Sequence, residues 1–173
     1  MRRLRTISLL LGLGSAAACR RAPEPPARAA ATPAAAPAST PTPAAPKSGL
    51  GELMTLQQVR HAKLWLAGEA RNWGLASYEW KELREGFADI ERLYPTRPDS
   101  PVPIDQAVET MMTDPLQELG EAIGRKDAKA FASAFDMLTE GCNSCHQATN
   151  HGFTVLRRPK TNPFPNQSFA PPK

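Results

Sequence analysis

The sequence predicts an all-α fold, an antiparallel four-helix bundle, on three observations. Apolar residues recur at steps of three and four through four separate stretches between positions 54 and 147. Those stretches are parted by Asn72-Trp73-Gly74, by a proline-rich connection at 95–103 and by Gly124. No run has the alternating, β-branched pattern of a strand. Four amphipathic helices joined by short connections bury their apolar faces most simply by packing antiparallel to their chain neighbours.

The first helix is predicted to open at Thr55-Leu56-Gln57-Gln58, which reads as a capping box, with Met54 and Val59 placed as a hydrophobic staple. It should run to Glu69 or Ala70 with His61, Leu64, Trp65 and Gly68 on one side. In the second, Ala76, Trp80, Leu83, Phe87, Ile90 and Tyr94 form the inward face, and Glu79, Glu82, Glu85, Asp89 and Glu91 lie mainly outside. The aromatics read as packing, although Trp65, Trp73 and Trp80 could also wall a cofactor. The third carries Ile104, Val108, Met111, Met112, Leu116, Leu119 and Ile123, and Asp114-Pro115 should either restart or kink it. Asp127 is placed to cap the fourth, whose inward side holds Phe131, Phe135 and one of Met137 or Leu138. Fraying is expected at 150–152, and residues 157–173 form an irregular proline-rich tail whose aromatics could cover the bundle or stay disordered.

Near the end of the fourth helix stands Cys142-Asn143-Ser144-Cys145-His146. This C-x-x-C-H run is the attachment signature of a c-type haem. Two sulfurs add across the haem vinyl groups while the next imidazole ligates iron, so all three must share one side of a short segment. Helical offsets of three and four meet that demand. A thioredoxin-like redox pair needs a βαβ context that is missing. Zinc could draw on Cys142, Cys145, His146 and His151, but adjacent Cys145 and His146 are poorly spaced for one tetrahedral ion. One covalent haem c is therefore expected, on Cys142 and Cys145, with His146 as the proximal iron ligand.

Residues 1–18 read as an export signal. Arg2, Arg3 and Arg5 precede an apolar run at 7–13 and the small residues Gly14-Ser15-Ala16-Ala17-Ala18, a stretch too short to span a bilayer as a helix. Small residues before Cys19 resemble the bacterial lipoprotein signal, although Ala16 stands where that pattern usually has leucine. Lipidation of Cys19 would account for the one cysteine outside the haem motif; simple cleavage would leave it a free thiol. Residues 19–47 are then a tether rich in alanine and proline, able to reach up to roughly 85 Å in an extended polyproline conformation. The expected location is the periplasmic side of a bacterial membrane, held by an N-terminal lipid.

The formal charge of +4 misleads about partners. Over residues 48–156, the predicted haem domain, 16 acidic residues face 10 basic ones, a net charge of −6. Nucleic-acid binding is excluded on that balance, and a docking partner should be basic. No set of nucleophile and acid–base groups points to an enzyme.

A four-helix domain whose last helix bears the C-x-x-C-H run resembles the cytochrome c-prime superfamily, including its low-spin relatives. The resemblance covers residues 52–152 in helix order and is specific only at 142–146; the tether and tail are additions, and no basic residue follows the motif at 147–151. It implies Cys142 and Cys145 as thioether attachments and His146 as proximal ligand. The expected function is an extracytoplasmic monohaem cytochrome passing single electrons between redox proteins. The alternative is a sensor or scavenger binding nitric oxide or carbon monoxide at an open sixth position. The sixth position depends on where the first helix starts. With Thr55 as cap, His61 lies roughly 9 Å in and matches the depth of His146. With a start near Ser48, Met54 takes that level, although Gly49 and Gly51 argue against so early a start. With neither, iron is five-coordinate.

Overall fold

The computed structural model describes residues 49–173; the expected signal, Cys19 and tether lie outside them. Four helices follow one another: α1 (Leu50–Glu69), α2 (Trp73–Leu93), α3 (Ile104–Arg125) and α4 (Ala128–Ala148). Each packs on its chain neighbour, and α1 also meets α4, which closes the bundle. Among the described residues there is no strand, and no helix is long and apolar enough to cross a membrane.

The start of α1 corrects the sequence expectation. Thr55 is not the cap; its hydroxyl donates to the Gly51 carbonyl at 2.8 Å, within the helix. Gly49 caps instead, in an extended conformation, with its N–H donated to the Glu52 carboxylate at 3.1 Å. Glycine is an adequate N-cap, and burial of Leu50 offsets the roughly 1 kcal/mol that Gly51 costs in the first turn. Met54 therefore sits inside the helix and not before it.

The turn from α1 to α2 is a Schellman-type ending at Arg71 (φ 58°), with Asn72 N–H on the Ala67 carbonyl at 2.8 Å and Arg71 N–H on that of Gly68 at 2.9 Å. The Asn72 side chain then caps Leu75 N–H at 3.2 Å. Along α2 the predicted inward residues are buried, except that Trp80 and Tyr94 are only half-buried. Glu79 also turns inward and is buried, beside Lys63, Glu82 and Arg60, and burial raises its carboxyl pKa.

Pro115 does not restart α3, which runs continuously through it. Lacking an N–H, Pro115 leaves the Met111 carbonyl without its helical donor. That carbonyl faces α4 at Gly141, where an added Cβ would stand 2.5 Å from the oxygen. A second close approach lies between α1 and α4, where a Cβ on Gly68 would strike the Phe131 ring. Lys126 (φ 55°) ends α3, and Asp127 caps α4 by accepting from Lys129 and Ala130 N–H, both at 3.0 Å. Leu138 takes the inward place and Met137 stays 44% exposed.

Aromatic rings join α4 to α1: Phe135 lies 4.5 Å from His61 and 5.0 Å from Trp65 between centroids, and Phe131 touches Trp65 and Trp73. The tail returns along the bundle. Arg158 spans Asp136 with two 2.6 Å bonds and covers the Trp65 ring at 4.1 Å, Phe169 is buried, and the Ala170 carbonyl accepts from Asn72. Phe153, just before the tail, does not join them and is 82% exposed.

The Gly141 contact sets how closely α3 and α4 meet. Gly141→Ala should lower unfolding free energy by about 1–3 kcal/mol in urea titrations. Gly124→Ala, with open space around the new methyl, should raise it by up to about 1 kcal/mol.

Candidate functional site

The last turns of α4 face the first half of α1 across a cavity of about 290 Å³, near the small end of cofactor clefts. Leu50, Leu83, Phe87, Ile104, Met112 and Leu156 supply apolar walls. Exposed Gly51, Thr55 and Gln58 mark its open side. None of the three tryptophans lines it.

Cys142, Cys145 and His146 line this cavity together, as their helical spacing requires. Both cysteines are buried and unpaired by disulfide. Burial, with Cys145 nearby, pushes the Cys142 thiol up to about 12, and burial raises Cys145 as well. Both are neutral thiols at physiological pH and poor thiolate nucleophiles or metal ligands.

His146 is oriented by a group that no sequence pattern marks. Its Nδ1 lies 2.8 Å from the Thr154 carbonyl oxygen. A carbonyl only accepts, so Nδ1 is the donor, and in the neutral tautomer this bond selects, Nε2 is the nitrogen with the lone pair. The chain reverses to bring that carbonyl back: Thr149 N–H and hydroxyl bond the Cys145 carbonyl, Asn150 is left-handed (φ 62°), and His151 N–H meets the His146 carbonyl at 2.7 Å. Asn143, a spacer position in the motif, then clamps the returning strand. Its side chain accepts from Leu156 N–H at 2.8 Å and donates to the Leu156 carbonyl at 3.1 Å.

His61 and Met54 reach the same cavity from α1. His61 is 3% exposed, with Nε2 at 2.9 Å from the Thr139 hydroxyl oxygen. Thr139 donates its own proton to the Phe135 carbonyl at 2.8 Å, so it accepts from His61 Nε2–H. Burial lowers the His61 pKa to about 4, which keeps the ring neutral. The pairing of 61 with 139 also sets the helix register. Seven residues back along α1 is Met54, and seven forward along antiparallel α4 is His146, each a shift of roughly 10 Å on the same helical face. Met54 thus stands level with His146, and His61 lies two turns deeper.

His151 also lines the cavity, its Nδ1 donating to the Thr149 carbonyl at 2.7 Å. Among the described residues, no three His, Cys, Asp or Glu side chains converge on a point that could hold a metal ion. The donor set suits haem: two neutral thiols, one imidazole with a free Nε2 lone pair, and apolar walls around them. Arg97, Thr139, Asn143 and Thr154 are site residues that sequence reasoning misses. Comparison with family models, curated proteins and solved structures finds no match to this chain.

Two outcomes are expected. In chain prepared without haem, neutral His61 makes stability full above pH 6.5 and progressively lost as pH falls from 6.5 to about 4, because the unfolded chain takes the proton first. The loss reaches about 3 kcal/mol at most. Urea titrations at three pH values should show it, and His61→Phe should remove it. Separately, Asn143→Ala should free the returning strand, seen as faster tryptic cleavage after Arg157 at unchanged helix content by circular dichroism.

Proposed function

We propose that this domain holds one covalent haem c and carries single electrons between extracytoplasmic redox proteins. Cys142 and Cys145 would form the thioethers, and His146 Nε2 would ligate iron. The observation that carries this reading is the 2.8 Å bond from His146 Nδ1–H to the Thr154 carbonyl, in one cavity with both thiols. A ligand histidine typically donates its other N–H to such an acceptor, which sets the tautomer and strengthens the ligating nitrogen. Haem bound there would supply a one-electron couple, and the protein's part is to orient it, exclude water and set its potential. Among the described residues the cavity lining holds no Asp or Glu, which favours a carrier over substrate chemistry.

For the sixth ligand we favour Met54 over His61. Met54 is level with His146 on the facing helix, and its half-buried thioether has no competing bond. His61 Nε2 is engaged by Thr139, in a chain that ends on a backbone carbonyl. The features of residues 1–47 support export, a lipid on Cys19 and a tether that gives reach from a membrane on the periplasmic side. The net charge of the domain supports a basic redox partner.

Visible spectroscopy of protein made in a host that matures c-type cytochromes tests the reading. One haem per chain is expected by pyridine haemochrome, and none in the double variant Cys142→Ala, Cys145→Ala. Met54→Ala should turn a low-spin spectrum high-spin and open ferrous protein to carbon monoxide, while His61→Ala leaves it low-spin. Haem retained by the double variant would sink the attachment. Rapid carbon monoxide binding by the unaltered protein would favour the gas sensor.

A further inference from the structure

Among the described residues that line the cavity, Arg97 is the one side chain of fixed charge. It comes from the connection between α2 and α3 and is half-buried. Its Nε and Nη2 each donate to one oxygen of Asp99, both at 2.8 Å, so the guanidinium fork is closed on a carboxylate. That carboxylate is exposed, and the arginine holds its pKa below the usual range.

The backbone that presents Arg97 is stiff and tied at both ends. Pro95, Pro98, Pro101 and Pro103 restrict φ along the connection. The Pro95 carbonyl accepts from Ile104 N–H at 2.8 Å, where α3 begins. The Asp99 carbonyl accepts from the Asn150 side chain at 2.9 Å, which fastens the connection to the chain just past α4. Asp99 thus anchors the loop through its main chain. Its carboxylate can leave the fork without loosening the anchor.

We propose that Arg97 binds a carboxylate of the molecule held in the cavity, taking it into the fork that Asp99 fills and releasing Asp99 to solvent. This rests on the haem reading, because haem is apolar over its ring and bears two carboxylates at one edge. The exchange is cheap on the protein's side, since an ion pair this open to solvent adds little to stability. A carboxylate brought to this lining without a cation would lose hydration with nothing in return. No bond is made or broken, and one ion pair replaces another.

The test compares midpoint potentials of the haem-loaded protein and of its Arg97→Gln and Asp99→Asn variants at low ionic strength, with haem content measured on each. A cation at the haem edge favours the reduced state, so Arg97→Gln should lower the potential. Asp99→Asn should shift it by only a small fraction of that amount, because the displaced carboxylate is screened by water. Adding salt should shrink the Arg97→Gln shift. If the Arg97–Asp99 pair stays closed, either variant splits a neutral pair, and the two shifts are alike in size and opposite in sign; that result overturns the proposal, as does an Arg97→Gln variant with no shift. Haem present with either result leaves the haem reading standing. Unaltered protein without covalent haem overturns both.

Discussion

The hydrogen-bond chain from His61 through Thr139 to the Phe135 carbonyl fixes how α1 sits against α4. A buried imidazole N–H that loses its partner costs about 1–3 kcal/mol, so a slide of one helical turn is penalised at this point. Tilted ring contacts of His61 and Trp65 with Phe135 add to the same register. Two turns nearer the open end, that register decides which α1 residue confronts His146. This part-buried bond, less than one helical turn before the C-x-x-C-H run, therefore governs the geometry of the cavity.

Helices and irregular segments divide the work at the site. The helices provide apolar walls and the thiols, because residues three and four apart on α4 share a face. The polar partners come from chain outside the helices: Thr154 holds His146 through a carbonyl, and Arg97 stands on a proline-stiffened connection. A helix interior consumes most of its own carbonyls in its ladder, so the main-chain acceptor for the His146 N–H comes from such a segment, whereas His61 uses a side-chain hydroxyl, that of Thr139 on α4. Asn143 couples the two parts, since it belongs to the motif on α4 and bonds both main-chain groups of Leu156. The segment that carries Thr154 and Leu156 is thus part of the site, and Arg158 at the start of the tail extends its hold to Asp136 and Trp65.

Charge is distributed unevenly. The segment at 48–156 is acidic by six, yet among the described residues the cavity lining carries no acid and a single arginine. Buried apolar surface with one cation at the rim suits an apolar ligand with an anionic edge. The acidic residues of the helices lie outside the cavity lining described. Among them Glu79 is drawn inward beside Lys63 and Arg60; it stands three residues after Ala76 and four before Leu83, at the edge of the apolar stripe.

Four helices and most of their inward residues were legible because a 3.6-residue period is a local property of the chain. Phe131, Phe135, Leu83 and Leu119 are buried where that period puts them. The start of α1 was not legible, since Thr55 and Gly49 both offer a cap and the choice turns on whether Leu50 finds a place to bury. Met137 and Leu138 were likewise indistinguishable until α4 met its neighbours. The sequence by itself determined that two thiols and an imidazole share one face at the end of the last helix, because covalent spacing along a helix dictates it. Only the tertiary structure decided that Met54 stands level with His146, that the Thr154 carbonyl orients its ring and that Arg97 reaches the rim. Those outcomes depend on how one helix slides past another and on the path of segments without a period, and neither is written in the spacing of residues along the chain.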